Sequence, residues 1–233
     1  MCIRDRYHTR RVFLVNVVGI IVSILFIFGI IGISSLLNKL NILANEDSRK
    51  FIHVGVANWW IVAMIFFNNN IYASIVPALF VIINYISYKK QIFKAMERDG
   101  SKNDLGTVYF ALSLMILALI TFKNTEFSYI GALGILVMGY GDGFAAIIGV
   151  KYGKHKFKVL GNNKSLEGSL AMFLFSFVVS LVILYIFNPV NMLLYSLILA
   201  TVSTVLEAFS PYGLDNLTVP LGTSLLYYLL IML

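Results

Sequence analysis

The sequence predicts an all-α, polytopic integral membrane protein, a helical bundle with about seven or eight transmembrane helices. Hydrophobic residues make up 59% of the 233 residues and charged residues only 12%. The mean hydropathy is +0.86. The apolar residues are collected in runs close to the about 17–25 residues that a helix needs to cross a bilayer. A soluble domain of this length does not need such a composition, so the net charge of +7 indicates membrane orientation and not nucleic-acid binding.

Eight apolar runs mark the predicted helices. In chain order they are 12–37, 52–67, 71–88, 106–122, 128–150, 168–187, 190–209 and 216–233. The second run is short, and the fifth contains Gly141-Asp142-Gly143, where a break into two half-helices is one interpretation. Pro220 inside the eighth run indicates a kink or a half-helix there. Residues 1–47 are predicted to be an N-terminal segment with the first helix, and residues 48–233 a catalytic membrane domain.

The basic residues indicate how the helices are oriented. Two connections, between runs three and four and between runs five and six, hold most of the lysines and arginines that lie between helices: Lys89, Lys90, Lys94, Arg98, Lys102, Lys151, Lys154, Lys156, Lys158 and Lys164. By the positive-inside rule these connections are cytoplasmic, and residues 38–51 and 210–215 then lie on the same side. Eight helices would place the N terminus outside, against Arg10 and Arg11, so the orientation of the first helix stays open.

Residues 139–168 combine a carboxylate inside an apolar run with a basic segment. Asp142 lies between Gly141 and Gly143. A carboxylate within a membrane segment is costly and typically faces a cavity, a partner or a metal, and glycines let the backbone approach a ligand. Counted from Val150, Asp142 lies about 12 Å inside the inner end of its helix. The pattern favours a magnesium–nucleotide site; the alternatives are glycine-mediated helix packing and a structural aspartate–lysine pair.

The basic segment ends where the sixth run begins. Lys164 and Ser165 stand at this helix start, where free N–H groups and the helix dipole attract anions. Together with Lys154 and Lys156 they are predicted to bind a triphosphate, and membrane orientation alone is the alternative for the latter two. Glu167 is a candidate partner for a lysine or a metal.

A third polar group opens the second run. Arg49 and His53 are four residues apart and Lys50 and His53 three apart, so on a helix all three can face one ligand. Two cations and an imidazole are suited to clamp a phosphate or to orient a hydroxyl, with His53 as a base. The alternative is a helix-end anchor with a buried histidine.

A fourth polar group connects the seventh and eighth runs. Glu207 precedes a Pro/Gly turn, and Asp215 opens the last run. Asp215 is either an N-cap alone or a second carboxylate for a metal bound by Asp142. Magnesium prefers oxygen ligands, typically one or two carboxylates with substrate phosphates, and Glu207 is a further candidate.

These groups, in this order, resemble the polyprenol kinase family, which includes dolichol kinase, phytol and farnesol kinases and CTP-dependent diacylglycerol kinase. The resemblance covers about residues 48–233. The matching pieces are Arg49-Lys50-x-x-His53, Gly141-Asp142-Gly143-x-Ala145, Asn163-Lys164-Ser165-x-Glu167-Gly168-Ser169 and Asp215-Asn216-Leu217-Thr218-Val219-Pro220. The resemblance implies a membrane kinase that uses CTP and Mg²⁺ to phosphorylate a lipid alcohol: phytol, farnesol, a polyprenol or diacylglycerol. The expected location is the cell membrane, with the active site on the cytoplasmic side.

Two alternatives remain at this point. The central stretch is also similar to CDP-diacylglycerol synthase (phosphatidate cytidylyltransferase), in its Asp142-x-x-Ala145, Gly153-Lys154-His155-Lys156 and Lys164-Ser165-x-Glu167-Gly168 pieces. That family would show a Pro-Gly-His-Gly-Gly stretch before an Asp-Arg pair, whereas this chain has Pro211-Tyr212-Gly213-Leu214-Asp215-Asn216, which favours the kinase. The other alternative, a small membrane transporter, would place polar residues on both sides of the membrane.

Overall fold

The computed structural model describes residues 3–90, 105–160 and 162–232, and the side chains of 12–90, 105–160 and 163–232. The predicted basic residues Lys94, Arg98 and Lys102 lie outside the described residues, as do the side chains of Arg10 and Arg11. The helices are α1 Ile3–Lys39, α2 Asn45–Ala57, α3 Trp59–Phe66, α4 Asn70–Lys90, α5 Gly106–Thr121, α6 Ser128–Tyr152, α7 Leu166–Phe187, α8 Met192–Phe209 and α9 Asp215–Met232. A hairpin of β1 Lys156–Val159 and β2 Asn162–Ser165 joins α6 to α7. The all-α fold class is confirmed.

Within the described residues, five helical segments are long and apolar enough to cross a membrane by length and composition. They are Val12–Lys39, Asn70–Lys90, Thr125–Tyr152, Leu166–Phe187 and Met192–Phe209. Gly106–Thr121 is a shorter apolar helix. The protein is therefore an integral membrane protein. Each predicted run is largely helical, although the second run is divided between two helices.

The second run differs from the prediction, because it is not one helix. α2 ends at Ala57 and α3 begins at Trp59. Between them the amide of Asn58 donates to the carbonyl of Val54 at 2.8 Å and its Oδ1 accepts from the Tyr140 hydroxyl at 3.0 Å. A side chain that bonds to its own backbone competes with the helix, which explains the interruption.

The predicted break at Gly141-Asp142-Gly143 is wrong, because α6 is continuous from Ser128 to Tyr152. The glycines serve helix packing here. A Cβ at Gly143 would lie 2.5 Å from Val54 of α2, and one at Gly141 would lie 2.8 Å from Ser176 of α7. Small residues allow α6 to pack closely between two neighbours, as small-xxx-small faces do.

The eighth run is likewise continuous, so the half-helix at Pro220 is also wrong. α9 extends through Pro220, and the backbone of Pro220 packs against Gly134 of α6. Gly134 thus allows α6 and α9 to pack closely at this point.

The connection between α6 and α7 forms structure of its own. β1 and β2 pair antiparallel, with Lys156 opposite Ser165 and Val159 opposite Asn162. Ser165 then caps α7 by accepting a hydrogen bond from the backbone N–H of Gly168 at 3.1 Å. This hairpin fixes where Lys164 enters the bundle.

Candidate active site

The centre of the site is a buried ion pair between α2 and α6. Lys50 Nζ donates to Asp142 Oδ2 at 2.5 Å, and both residues are buried. The two helices come this close because Gly139 of α6 packs on Ala57, and Gly143 on Val54. The aspartate–lysine pair considered from the sequence thus exists, and its lysine is one of the two cations predicted to clamp phosphate.

His53 lies one turn after Lys50 and faces the same carboxylate. Its Nε2 is 3.7 Å from Asp142 Oδ2, beyond hydrogen-bond distance. This nitrogen is buried and has no hydrogen-bond partner. The ring lies 4.4 Å from the ring of Phe110, which fixes its plane. A hydroxyl group placed beside His53 can therefore reach both the imidazole and the carboxylate.

Three carboxylates from three helices converge beside this pair. One oxygen each of Asp142 (α6), Glu207 (α8) and Asp215 (α9) lie within 4.8 Å of one another. Oxygens bound to one octahedral Mg²⁺ are about 3–4.2 Å apart, so the three side chains would have to move closer together to bind one ion. These residues fit Mg²⁺ in donor type.

Lys164 approaches the cluster from β2. Its ammonium group forms an ion pair with Glu207, which is buried. Burial alone would lower the pKa of Lys164, but the neighbouring Glu207 carboxylate outweighs it and the net pKa is raised. Lys164 therefore stays charged at neutral pH. With all groups ionised, three carboxylates face two ammonium groups, Lys50 and Lys164, and the excess negative charge favours a cation.

The turn between α8 and α9 positions Asp215. Gly213 has φ 78°, a left-handed conformation that glycine adopts without strain. The hydroxyls of Ser210 and Thr218 lie 2.6 Å apart and link the two ends of the turn. The backbone N–H of Asn216 donates to Asp215 Oδ1 at 2.9 Å. The carboxylate is thus held at the helix start while it faces the cluster.

Several predicted residues lie outside the carboxylate cluster. Glu167, proposed from the sequence as a lysine or metal partner, accepts instead from His155, whose Nδ1 is 2.8 Å from Glu167 Oε1. Lys154 and Lys156 are exposed around the hairpin. Arg49 donates to Glu46 at 2.5 Å. The exposed lysines remain available to a nucleotide, whereas Glu167 fixes the hairpin loop.

Two other predicted contacts have structural roles in the bundle. Gly141 and Gly143 were predicted to let the backbone approach a nucleotide, but they face α7 and α2 respectively. Ser165 was predicted to bind phosphate, and its hydroxyl caps α7. In the sequence, a glycine or a serine at a helix is compatible with helix packing and with ligand binding. Only the neighbouring helices in the structure distinguish the two roles.

The three carboxylates lie at one end of the bundle. Asp142 lies ten residues before α6 ends at Tyr152, whereas the other two carboxylates lie at the ends of their helices. Glu207 lies two residues before the end of α8, and Asp215 is the first residue of α9. Val150, near the end of α6, is 79% exposed. The cluster therefore lies near one end of the bundle and not deep in its interior.

Comparison with known proteins identifies the family. The chain is 37% identical over 195 residues to a phytol kinase of Synechocystis sp., and the match covers 83% of each chain. The chain belongs to the polyprenol kinase family. It is 29% identical over 214 residues to phytol kinase 1, chloroplastic, of Arabidopsis thaliana, covering 83% of this chain and 69% of that protein. It is 26% identical over 224 residues to farnesol kinase, chloroplastic, of the same plant, covering 87% and 72%.

Membership of this family confirms the resemblance inferred from the motifs. Because these relatives are isoprenoid-alcohol kinases by name, the chain is a kinase and not a transporter. No protein-family model matches the chain. No solved structure matches it either.

Proposed function

We propose that this protein transfers the γ-phosphoryl group of CTP to the hydroxyl of an isoprenoid alcohol such as phytol or farnesol. The observation that carries the proposal is the convergence of Asp142, Glu207 and Asp215 beside Lys164 and His53, whose Nε2 has no hydrogen-bond partner among the described residues. Phosphoryl transfer depends mainly on positioning and on charge neutralisation, and this site supplies groups for both. The names of the relatives support the acceptor class.

The donor half of the site consists of the carboxylates and the lysines. Asp142, Glu207 and Asp215 would hold Mg²⁺, which when bound neutralises charge on the phosphate oxygens. Lys164 is suited to bind a phosphate, because its ammonium group already lies at the cluster and stays charged. The exposed Lys154 lies just before the hairpin that carries Lys164 and is a further candidate to bind a phosphate. CTP as the donor rests on the family resemblance.

The acceptor half is built around His53. The alcohol oxygen would attack the γ-phosphorus, the bond from that phosphorus to the β–γ bridging oxygen would break, and CDP would leave. The hydroxyl proton would pass to His53 Nε2, which is buried and has no hydrogen-bond partner. A neutral imidazole suits this role as a general base, and the nearby Asp142 carboxylate would stabilise the cation that forms.

The helices and the charges support a proposed location for the site. The site lies where α2 and α9 begin and where α8 ends, the same end of the bundle as the basic residues of the hairpin. We place this end on the cytoplasmic side of the cell membrane by the positive-inside rule. A soluble nucleotide then meets a membrane-borne alcohol at one surface.

One assay tests the function directly. Purified protein, magnesium and CTP labelled at the γ-phosphorus are offered to phytol, farnesol, a polyprenol, diacylglycerol and phosphatidate. Label should appear in a phosphorylated isoprenoid alcohol extracted into the organic phase. Label released as pyrophosphate, together with a CDP-lipid, would instead establish the cytidylyltransferase. Unlabelled ATP as a competitor tests the choice of nucleotide.

Replacing Lys164 with alanine should weaken nucleotide binding. A charge-assisted hydrogen bond to phosphate contributes about 1.5–3 kcal/mol, so the KM for CTP should rise about 10- to 100-fold. The KM for the alcohol should change much less. Steady-state kinetics with each substrate varied in turn measure both values.

Lys158→Ala is the matched control for this substitution. Lys158 lies on the neighbouring strand β1 and is exposed. Its replacement removes the same charge from the hairpin. It should leave the KM for CTP unchanged. If the two variants behave alike, Lys164 acts only through the general charge of the loop.

A further inference from the structure

The structure contains an elongated cavity that the carboxylate cluster does not use. It lies among α1, α2, α3, α4, α5 and the start of α9, and its empty volume is about 690 Å³, counting its open mouth. Ile52, Phe80 and Ala111 are among the buried apolar residues that line it.

The cavity has a polar end and an apolar end. At the polar end, Asn84 Nδ2 of α4 donates to the carbonyl of Thr107 of α5 at 3.0 Å, and His53 of α2 lies at the same level, next to Phe110. The apolar end is reached by following α5 to Leu114, seven residues or about 10 Å further along its axis. Its other walls there are Val76 and Trp59.

The polar end adjoins the catalytic cluster. His53 lines the cavity and also lies 3.7 Å from Asp142. Asn216, which lines it from α9, directly follows Asp215. A molecule in the cavity therefore has one end next to the carboxylates and the rest among apolar side chains.

Two buried polar atoms at this end have no hydrogen-bond partner. They are His53 Nε2 and Asn84 Oδ1, and both belong to residues that line the cavity. A buried polar atom left unsatisfied is destabilising, so native structures usually provide a partner. A ligand that brings one hydroxyl to this end supplies an O–H that can donate a hydrogen bond to either atom.

We propose that this cavity binds the isoprenoid chain of the acceptor alcohol, with the hydroxyl at His53 and the far end of the chain against Leu114, Val76 and Trp59. The proposal rests on the function proposed above and extends it to the residues that select chain length. The occupant follows from the chemistry: one polar end next to the phosphoryl-transfer groups, and apolar walls elsewhere. A nucleotide does not fit, because the described lining offers no cation away from the polar end.

Substitution at the apolar end of the cavity tests the proposal. Leu114→Trp shortens the cavity, so kcat/KM for phytol should fall about tenfold or more, while kcat/KM for farnesol, one isoprene unit shorter, changes by less than about threefold. The KM for CTP should stay unchanged. Leu119→Trp is the matched control, because Leu119 lies on the exposed face of the same helix. An equal loss for both alcohols in a variant of normal thermal stability would overturn the proposal.

A variant that enlarges the cavity keeps the proposal testable if the tryptophan variant misfolds. Leu114→Ala lengthens the cavity and should shift the preference towards phytol over farnesol. A photoreactive farnesol analogue with a diazirine on its last isoprene unit should label peptides that contain Trp59, Val76 or Leu114. Label confined to the outward faces of α7 and α8 would overturn the proposal. The labelling needs no turnover, so it separates failure of the binding site from failure of the proposed kinase reaction in the wild-type protein.

Discussion

Asp142→Asn should lower kcat by about a thousandfold or more, because it removes the central carboxylate of the site. The asparagine amide keeps the shape of the side chain but loses the negative charge that faces the proposed Mg²⁺ and His53. The measurement is the rate of alcohol phosphorylation at saturating CTP and alcohol. The protein must be shown to be folded in detergent at the assay temperature.

The ion pair with Lys50 makes a stability control necessary. Removing one partner of a buried pair leaves the other charge uncompensated and costs about 3–5 kcal/mol. Asp142→Asn alone should therefore unfold at a lower temperature. The double variant Lys50→Met with Asp142→Asn should regain much of that stability and remain inactive. If activity returned together with stability, Asp142 would be only the counter-ion of Lys50.

Asp215→Asn should reduce kcat by about a hundredfold and raise the magnesium concentration needed for half-maximal activity. Asparagine keeps a side-chain oxygen to which the backbone N–H of Asn216 can still donate, so the start of α9 should be preserved. Rates measured across a magnesium titration distinguish the loss of a metal ligand from a local change at the start of α9.

Asp215→Ala completes this comparison. It removes the acceptor for the backbone N–H of Asn216 as well as the charge, so it should lower the thermal stability by more than Asp215→Asn while reducing activity to a similar extent. Wild-type activity in the asparagine variant would show that Asp215 only begins the helix. That outcome would leave Asp142 and Glu207 as the remaining carboxylates.

The sequence predicted the helices well, since hydrophobicity alone determines which segments lie in a bilayer. α5 begins at Gly106, as the fourth run does, and α7 ends at Phe187, as the sixth run does. It also predicted that four separated polar groups would share one side of the membrane. The convergence of Asp142, Glu207 and Asp215 agrees with that prediction.

What the sequence did not reveal depends on contacts between helices. Lys50 was considered for phosphate, and its pairing with Asp142 requires knowing how α2 is rotated and how closely Gly139 lets it approach. Asn58 was a signal that could have been used, because an asparagine in the middle of an apolar run often bonds to the backbone. The cavity around Leu114 has no local signal at all, because its walls come from six separate helices.

The position of the carboxylates near one end of the bundle has a consequence for lipid traffic. In the proposed reaction, the acceptor would be taken from, and the phosphorylated product returned to, the same leaflet, because the cavity and the cluster meet at that end. The new phosphate group would never have to cross the hydrocarbon layer, where a charge is costly. The product would therefore accumulate on one face of the membrane, and any enzyme that consumes it would have to work on that face or depend on a separate flippase.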